Sequence, residues 1–275
     1  MEPVIEMQGL ACQAGRRYLL KDLDWMVNQG EHWVIFGMNG SGKTTLLSIL
    51  AGFRKFTQGS LQVLGETYDR QNILSLRRRV GLVSSSFFDR YYQRESALDI
   101  VLSGRFGTFG LNGGVTDQDV ILAKALLREM HLTDKINRPY DLMSRGEKQN
   151  VLIARALFAQ PDILLLDEPC TGLDICNRAH LLCTVRDLAE QTAMTIIYVT
   201  HYTEEILDIF EHTLLLRNGR IYAQGSTEAI FTEAVLAPFL GQVVQVQYAP
   251  GTVAVDLAVS SQVCRLLKGG GHDGS

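Results

Sequence analysis

The sequence predicts an α/β fold built around a mainly parallel sheet. Short apolar segments, typical of buried strands, recur along the chain, and longer segments with helical periodicity separate many of them. The predicted strands are Val4–Met7, Trp33–Phe36, Val80–Val83, Ile163–Leu166, Thr195–Val199 and His212–Leu216. The predicted helices are Lys43–Gly52, Val120–His131, Glu147–Gln160, Asn177–Gln191 and Thr203–Phe210.

The composition excludes several classes of protein. The chain has 275 residues, 46% of them apolar, so it can bury a sizeable core and is not disordered throughout. Because 26 Lys and Arg residues face 30 Asp and Glu residues, the net charge is -4 and we expect no direct nucleic-acid binding. The longest apolar runs are far shorter than the ~20 residues that cross a bilayer, and we expect no secretory signal. The five cysteines lack zinc-ligand spacing, which indicates reduced thiols in a cytosolic protein.

One stretch in the middle of the chain departs from the alternating pattern. From about residue 86 to 145 the periodicity is helical, with a glycine-rich loop at Gly104–Gly114. We therefore expect a helical subdomain inserted into the α/β domain.

The end of the chain departs from the pattern as well. Two strand-like segments, Val243–Tyr248 and Val253–Val259, predict a short β extension over residues 241–268. It is either a strand pair packed on the domain or a small regulatory or dimer element. Residues 269–275 predict a disordered tail.

A glycine-rich loop joins the second predicted strand to an apolar helix. Its pattern, G-x-x-x-x-G-K-[ST], is typical of a phosphate-binding loop between a strand and a helix. Glycines let successive backbone N–H groups turn toward one anion, and the helix N-terminus adds a positive dipole end. We expect Lys43 to contact the β- and γ-phosphates of a nucleotide and Thr44 to reach a bound Mg²⁺. The predicted nucleotide-binding residues are Gly37, Met38, Asn39, Gly40, Ser41, Gly42, Lys43, Thr44 and Thr45.

Two carboxylates follow the apolar strand Ile163–Leu166. Carboxyl ends of parallel strands are where open α/β sheets bind ligands, so Asp167 and Glu168 are candidate site residues. We expect Asp167 to hold Mg²⁺ through water and Glu168 to polarise the water that attacks the γ-phosphate.

Three further segments resemble motifs of the ABC (ATP-binding cassette) ATPases. Leu142–Gln149 is similar to the family's signature motif, Cys170–Asp174 to its D-loop, and Thr200–His201 to the segment with its switch histidine. The resemblance covers roughly residues 1–240. It extends to bacterial single-cassette ABC transporter ATP-binding proteins, including those grouped with molybdate-transport ATPases.

The resemblance implies a P-loop NTPase core of the ABC type with an antiparallel β subdomain and the helical subdomain. It also implies a head-to-tail pair with a second copy of the chain or a homologous cassette, in which two ATP molecules are buried. Each ATP would lie between the phosphate loop of one subunit and the signature of the other. Here the signature residues are Ser144, Arg145, Gly146 and Glu147.

The remaining motif residues receive roles from the same resemblance. His201 would contact the γ-phosphate and hold Glu168 and the water in place, and Asp174 would shape the contact with the opposite phosphate loop. Ser144 has a second interpretation, as the N-cap of a helix with Glu147 completing a capping box. Both roles of Ser144 are compatible.

The sequence departs from the family pattern at three places. Ser85 stands where the family usually has a glutamine that binds Mg²⁺, and a serine reaches the metal only through water or backbone movement. Ala14 stands where an aromatic ring usually stacks on adenine, and Tyr18 or Arg16 are the nearby candidates. The signature reads Ser-Arg-Gly-Glu where Ser-Gly-Gly-Gln is commoner, so we expect ATP affinity and dimerisation to be tuned.

Two functions remain open at this point. The first is the ATP-hydrolysing subunit of a transporter, cytoplasmic and peripheral on the cytoplasmic face of the membrane, with a transmembrane permease as partner. Its aromatic cluster either packs into the helical subdomain or forms a groove for the permease; the cluster is Phe87, Phe88, Tyr91 and Tyr92. The second is a soluble ABC ATPase that acts on the ribosome, DNA or a regulatory partner.

Overall fold

The computed structural model describes residues 2–111, 113–249 and 252–257. The strands are β1 (Pro3–Ala14), β2 (Arg17–Asn28), β3 (Trp33–Phe36), β4 (Gln58–Val63), β5 (Val80–Val83), β6 (Ile163–Asp167), β7 (Thr195–Thr200), β8 (His212–Arg217), β9 (Arg220–Ser226), β10 (Val244–Ala249) and β11 (Thr252–Leu257). The helices are α1 (Lys43–Leu50), α2 (Ile73–Arg79), α3 (Ser85–Phe88), α4 (Ala97–Ser103), α5 (Asp117–Glu129), α6 (Arg145–Phe158), α7 (Ile175–Gln191), α8 (Thr227–Ile230) and α9 (Glu233–Leu240).

The central sheet is mainly parallel, which confirms the predicted fold class. In the described part of the chain its strand order is β5-β6-β7-β3-β8-β9, and only the pair β8–β9 is antiparallel. All residues of β3, β5, β6 and β7 are buried, as expected for strands covered on both faces. The carboxyl ends of β3, β5, β6 and β7 therefore meet at one edge, where the site lies.

A second, antiparallel sheet has the strand order β2-β1-β4. Burial along β2 alternates toward its end, with Leu23, Trp25 and Val27 inside and their neighbours outside. The Trp25 ring packs edge-on against Trp33 of β3, with ring centroids 5.4 Å apart. This sheet thus shares one core with the central sheet.

Helices α4, α5 and α6 follow β5 and precede β6 in the sequence, and they pack against one another. Thr116 caps α5, and its hydroxyl and the Asp119 carboxylate exchange hydrogen bonds with backbone N–H groups in a capping box. Most of the predicted aromatic cluster packs inside this region: Phe88 and Tyr92 are fully buried, whereas Tyr91 is 41% exposed. The residues of this aromatic cluster therefore belong mainly to the hydrophobic core.

The helix predicted over Thr203–Phe210 is wrong. The structure has a single 3₁₀ turn at Thr203–Glu205, and the chain is extended at Ile206. Glu205, Ile206 and Leu207 are buried in succession, so tertiary contacts outweigh the helical periodicity of this stretch. This stretch follows the predicted switch histidine, so its conformation affects the site.

The C-terminal strands form an antiparallel hairpin, β10–β11. The Tyr248 hydroxyl donates to the backbone oxygen of Phe231, at 2.9 Å, and β11 lies beside the turn Thr203–Glu205. The hairpin is thus a strand pair packed on the rest of the chain. The predicted tail, residues 269–275, and the part of the predicted extension beyond 257 lie outside the described residues.

Candidate functional site

The glycine-rich loop between β3 and α1 has the backbone of a phosphate cradle. Gly40 and Gly42 have φ angles of 80° and 110°, in the left-handed region that favours glycine. A Cβ at Gly37 would clash with the backbone oxygen of Leu216, so the loop needs glycine there too. No described side chain caps α1, which leaves the N–H groups of its first turn available to an anion.

Lys43 is the cation of this loop, and its side chain is only 5% exposed. Its ammonium donates to the backbone oxygens of Gly37, at 2.7 Å, and Met38, at 3.2 Å. It also lies 3.2 Å from Oε1 of Glu168. A buried cation with these partners is fixed at the mouth of the cradle, where the phosphates of a nucleotide would lie.

Glu168 has an uncommon backbone conformation. Its φ is 48°, in a region that L-residues rarely adopt at a cost of about 1–3 kcal/mol. Its N–H donates to the backbone oxygen of Val199, at 2.9 Å, which ties the end of β6 to β7. Such strain is common at functional sites because the surrounding structure must impose it.

The predicted switch histidine, His201, approaches the same carboxylate oxygen. His201 Nδ1 lies 3.2 Å from Glu168 Oε1, but it forms no hydrogen bond with any described residue. Lys43 Nζ and His201 Nδ1 therefore both approach Glu168 Oε1 at 3.2 Å. Two residues from separate motifs therefore approach one atom of a third motif residue.

Asp167 is the buried carboxylate of the site. Its Oδ2 accepts a hydrogen bond from the Ser84 hydroxyl, at 2.8 Å, whereas its Oδ1 is buried without a hydrogen-bond partner among the described residues. Burial raises the pKa of Asp167, and the hydrogen bond from Ser84 opposes that shift. A buried oxygen without a donor is well suited to a cation.

These residues fit Mg²⁺. Thr44 lines the same cleft as Asp167, so a hydroxyl and an orphaned carboxylate oxygen are available together. The described residues hold no cluster of three or more His, Cys, Asp or Glu side chains that would bind a metal alone. Mg²⁺ is commonly held by one or two protein ligands plus the phosphates of a substrate, which matches this donor set.

Ser85, the predicted replacement for the metal-binding glutamine, lines the cleft. Its hydroxyl, however, donates to the side-chain oxygen of Gln149 in α6, at 2.8 Å. The serine that contacts Asp167 is Ser84, which the sequence analysis did not single out. Its position at the end of β5, next to β6 in the sheet, is the signal that could have found it.

The cleft has a volume of about 660 Å³, which suits a nucleotide. Tyr18 and Arg17 form part of its wall, and Ala14 lies across the β1–β2 turn from them. Ala14 and Tyr18 therefore lie on different strands, β1 and β2. The β8–β9 turn, Asn218–Gly219, also lines the cleft and was missed by the sequence analysis; the Gly219 N–H donates to Ser41 O at 2.9 Å.

Most of the predicted loop residues share this cleft with the carboxylates. Its lining includes Asn39, Gly40, Gly42, Lys43, Thr44, Thr45, Asp167 and Glu168. The lining residues of this cleft do not include Gly37, Met38 or Ser41, which belong to the same loop.

The signature residues begin α6. The Ser144 hydroxyl accepts from the Glu147 N–H, at 3.3 Å, and the Glu147 carboxylate accepts from the Ser144 N–H, at 2.8 Å, so the capping box is present. Lys135 lies 2.6 Å from the Glu147 carboxylate, and the hydrogen bond to Lys135 lowers the pKa of Glu147 against the effect of burial. Ser144, Gly146 and Glu147 line a separate cleft of about 330 Å³.

The D-loop lies between the two clefts. Asp174 lines the signature cleft and caps α7: its carboxylate accepts from the Asn177 N–H, at 2.9 Å, which holds the pKa of Asp174 below its usual value. Gly172 has a φ of 77°, and a Cβ there would lie 2.5 Å from the Arg145 side chain. Arg145 thus rests on the D-loop and lines both clefts.

Comparison with known proteins identifies relatives of this chain. The family model described as ABC transporter matches residues 20–171. The chain is 38% identical over 238 residues to the ABC transporter ATP-binding protein YlmA of Bacillus subtilis (strain 168), a match that covers 86% of this chain and 90% of that protein.

Solved cassettes are similar in structure. A chain from an inward-facing ABC transporter assigned to the metal-chelate type is 28% identical, with a TM-score of 0.75, covering 95% of this chain and 99% of that one. The bacterial ABC transporter cassette MJ0796, solved as a dimer, is 25% identical with a TM-score of 0.71, covering 81% and 98%. Within the described residues, no helix combines the length and apolar character needed to span a membrane.

Proposed function

The chain belongs to the ABC transporter family, and from this premise we propose that its cleft binds MgATP and that Glu168 activates the water that hydrolyses it. The protein is the ATP-binding and ATP-hydrolysing subunit of a transporter. Two cassettes form a dimer, and the dimer acts together with a membrane permease. The observation that carries the proposed site is the convergence of Lys43 Nζ and His201 Nδ1 on Glu168 Oε1, each at 3.2 Å.

Nucleotide binding uses the loop between β3 and α1. Its N–H groups and the N-terminus of α1 present positive potential to the phosphates, and Lys43 supplies a full positive charge at the β- and γ-phosphates. The Lys43 ammonium already lies against the loop oxygens of Gly37 and Met38, so it needs little movement to meet a phosphate. Tyr18 lines the same cleft and is the proposed contact for the base.

Mg²⁺ would be held by the Thr44 hydroxyl and by Asp167, whose Oδ1 has no donor in the described structure. The metal would neutralise negative charge on the phosphate oxygens. Ser84 orients the Asp167 carboxylate through the 2.8 Å hydrogen bond to Oδ2. Ser85 lines the cleft and remains a proposed contact of the metal through water.

Hydrolysis needs a base beside the γ-phosphate. Glu168 is 26% exposed at its side chain, so water reaches it, and its strained backbone fixes the direction of the carboxylate. When Lys43 contacts the phosphates, Glu168 Oε1 loses its cation and can accept the proton of the attacking water. His201 then keeps the Glu168 carboxylate aligned with the γ-phosphate.

The signature residues act on the nucleotide of the partner subunit. Ser144, Gly146, Glu147 and Asp174 line a cleft apart from the chain's own phosphate loop, which suits contacts across an interface. Large apolar side chains flank this surface: Leu142 is 60% exposed and Ile175 is 85% exposed. Solvent-exposed apolar groups of this size support burial against a second cassette.

We further propose that the subunit lies on the cytoplasmic face of the membrane, because the ATP that it consumes is a cytosolic metabolite. The relative YlmA is named as an ABC transporter ATP-binding protein, which favours transport over the alternative of a soluble ATPase acting on the ribosome, DNA or a regulator.

Two substitutions test the proposed site. Glu168→Gln should slow ATP hydrolysis by about a hundredfold or more while ATP binding persists, because the loop and the metal ligands are unchanged. Lys43→Ala should lose ATP binding itself. The control is Glu190→Gln, which makes the same chemical change on the exposed side of α7 and should hydrolyse ATP at the wild-type rate. Hydrolysis by Glu168→Gln near the wild-type rate would remove Glu168 from the role of base.

A further inference from the structure

A chain of buried polar side chains lies directly behind the site. We propose that Glu205 is a positioning residue that couples the D-loop to the switch histidine through Tyr198, Thr200 and Cys170. This inference rests on the proposed function, since it assigns a means of alignment to the same hydrolytic site. None of these four residues has a role in the mechanism described above.

The centre of the chain is the Glu205 carboxylate, whose residue is 2% exposed. Its Oε2 accepts hydrogen bonds from the Thr200 hydroxyl, at 2.6 Å, and from the Tyr198 hydroxyl, at 3.1 Å. Its Oε1 lies 3.9 Å from the guanidinium of Arg178 in α7. Two donors on one oxygen and a cation near the other satisfy a carboxylate that burial would otherwise disfavour.

The direction of the hydrogen bonds extends the chain to the D-loop. Tyr198 has one hydroxyl proton, which it donates to Glu205, so its oxygen is left as an acceptor. The Cys170 thiol lies 3.3 Å from that oxygen and is the group able to donate to it. Burial raises the pKa of Cys170 to about 12, which keeps the thiol protonated and able to serve as that donor.

The two ends of the chain adjoin the catalytic motifs. Cys170 comes two residues after Glu168 and is the first residue of the D-loop segment Cys170–Asp174. Thr200 comes directly before His201, and its hydroxyl also accepts the Tyr202 N–H, at 2.9 Å, which fixes the turn that carries the histidine. Glu205 thus holds both segments through one oxygen atom.

The position of Glu205 is itself restrained. It ends the turn Thr203–Glu205, and β11 of the C-terminal hairpin lies beside that turn. Arg178, on the helix that Asp174 caps, lies 3.9 Å from the second carboxylate oxygen of Glu205. A carboxylate held from two directions can transmit a displacement of the D-loop to His201 instead of absorbing it.

Two isosteric substitutions test the inference without emptying the core. Tyr198→Phe removes the hydroxyl that joins Cys170 to Glu205, and Thr200→Val removes the hydroxyl that joins Glu205 to the histidine turn. We expect each to lower kcat for ATP hydrolysis about tenfold, the size of one lost hydrogen bond, with the KM and Kd for ATP unchanged. Tyr222→Phe, an exposed tyrosine on β9, is the matched control and should keep the wild-type kcat.

A double-variant measurement separates coupling from simple loss of structure. The Cys170→Ala substitution should lower kcat in the wild-type background but have no further effect in the Tyr198→Phe background, because the link to Glu205 is already broken. Glu205→Gln keeps an acceptor oxygen for both hydroxyls and should retain more activity than Glu205→Ala at matched thermal stability.

Several results would overturn the inference: unchanged kcat in Tyr198→Phe, a loss confined to ATP affinity, or independent, multiplying effects of Cys170→Ala and Tyr198→Phe. Failure of the proposed function is distinguishable, because it would appear as hydrolysis by Glu168→Gln. An inactive Glu168→Gln beside a fully active Tyr198→Phe would reject the coupling alone.

Discussion

Replacing Ser84 by alanine isolates the contact that orients Asp167, the buried carboxylate of the proposed metal site. The Ser84 hydroxyl is the hydrogen-bond donor to Asp167 Oδ2, at 2.8 Å, and Asp167 Oδ1 already has no partner among the residues described. Ser84→Ala therefore removes the hydroxyl donor of Oδ2 from a residue that is 7% exposed.

The magnitude follows from the type of hydrogen bond. A hydrogen bond to a charged group contributes about 1.5–3 kcal/mol, so the free energy of unfolding should fall by that amount. At about 2–4 °C per kcal/mol for a domain of this size, the nucleotide-free Tm should fall by about 3–12 °C. Loss of a residue that orients a metal ligand should also weaken Mg²⁺ activation about 10–100-fold.

The effect has a defined pH dependence. The hydrogen bond from Ser84 lowers the pKa of Asp167 against the larger effect of burial, so its loss raises that pKa further. A higher pKa means a smaller ionised fraction at low pH, and only the ionised carboxylate binds the metal. The defect in Mg²⁺ activation should therefore grow as the pH falls and shrink as the pH rises.

The assay is the ATPase rate as a function of Mg²⁺ concentration, at pH 6 and pH 8, together with a thermal melt. Ser85→Ala is the matched comparison, because it makes the same change one residue away, where the hydroxyl donates to Gln149. We expect a larger rise in the Mg²⁺ concentration at half-maximal rate for Ser84→Ala than for Ser85→Ala. The reverse order, or equal half-saturation in Ser84→Ala and wild type, would refute the assignment of Ser84.

Two further predictions concern the surface that we propose faces the partner cassette. Gly172→Ala places a new Cβ against Arg145 at a φ of 77°, so it should lower the Tm and the ATPase rate. Adding Arg145→Gly should restore part of both, because it removes the side chain that the Cβ meets. Strictly additive losses in the double variant would contradict this contact. Leu142→Asp and Ile175→Asp should weaken the ATP-dependent dimer in sedimentation experiments on the Glu168→Gln background, with the monomer Tm unchanged because both side chains are exposed.

The central sheet was predictable because its strands are buried on both faces. Ile163–Asp167 is apolar until its last residue, and a run of this kind has few structural alternatives. Strand β2 was not predicted, because Lys21, Asp22 and Asp24 interrupt its apolar residues. The alternation of Leu23, Trp25 and Val27 is the signal that could have found it.

The site was predictable where its residues are neighbours in sequence. The phosphate loop and the Asp167–Glu168 pair are short motifs whose spacing carries their chemistry. Ser84 could not be found in this way, since it meets Asp167 across 83 residues, through the pairing of two strands. The same reason hid Asn218–Gly219, which reaches the cleft because β8 lies next to β3.

The pairing of Lys43 with Glu168 has a thermodynamic consequence for ligand affinity. The carboxylate is a resident counter-ion, and a phosphate must compete with it for the same ammonium group. The free energy of nucleotide binding is thus a net quantity, which already includes the free energy needed to break the ion pair between Lys43 and Glu168. Removing the charge of Glu168 abolishes that competition, so tighter nucleotide retention in such a protein can arise with every contact to the nucleotide unaltered.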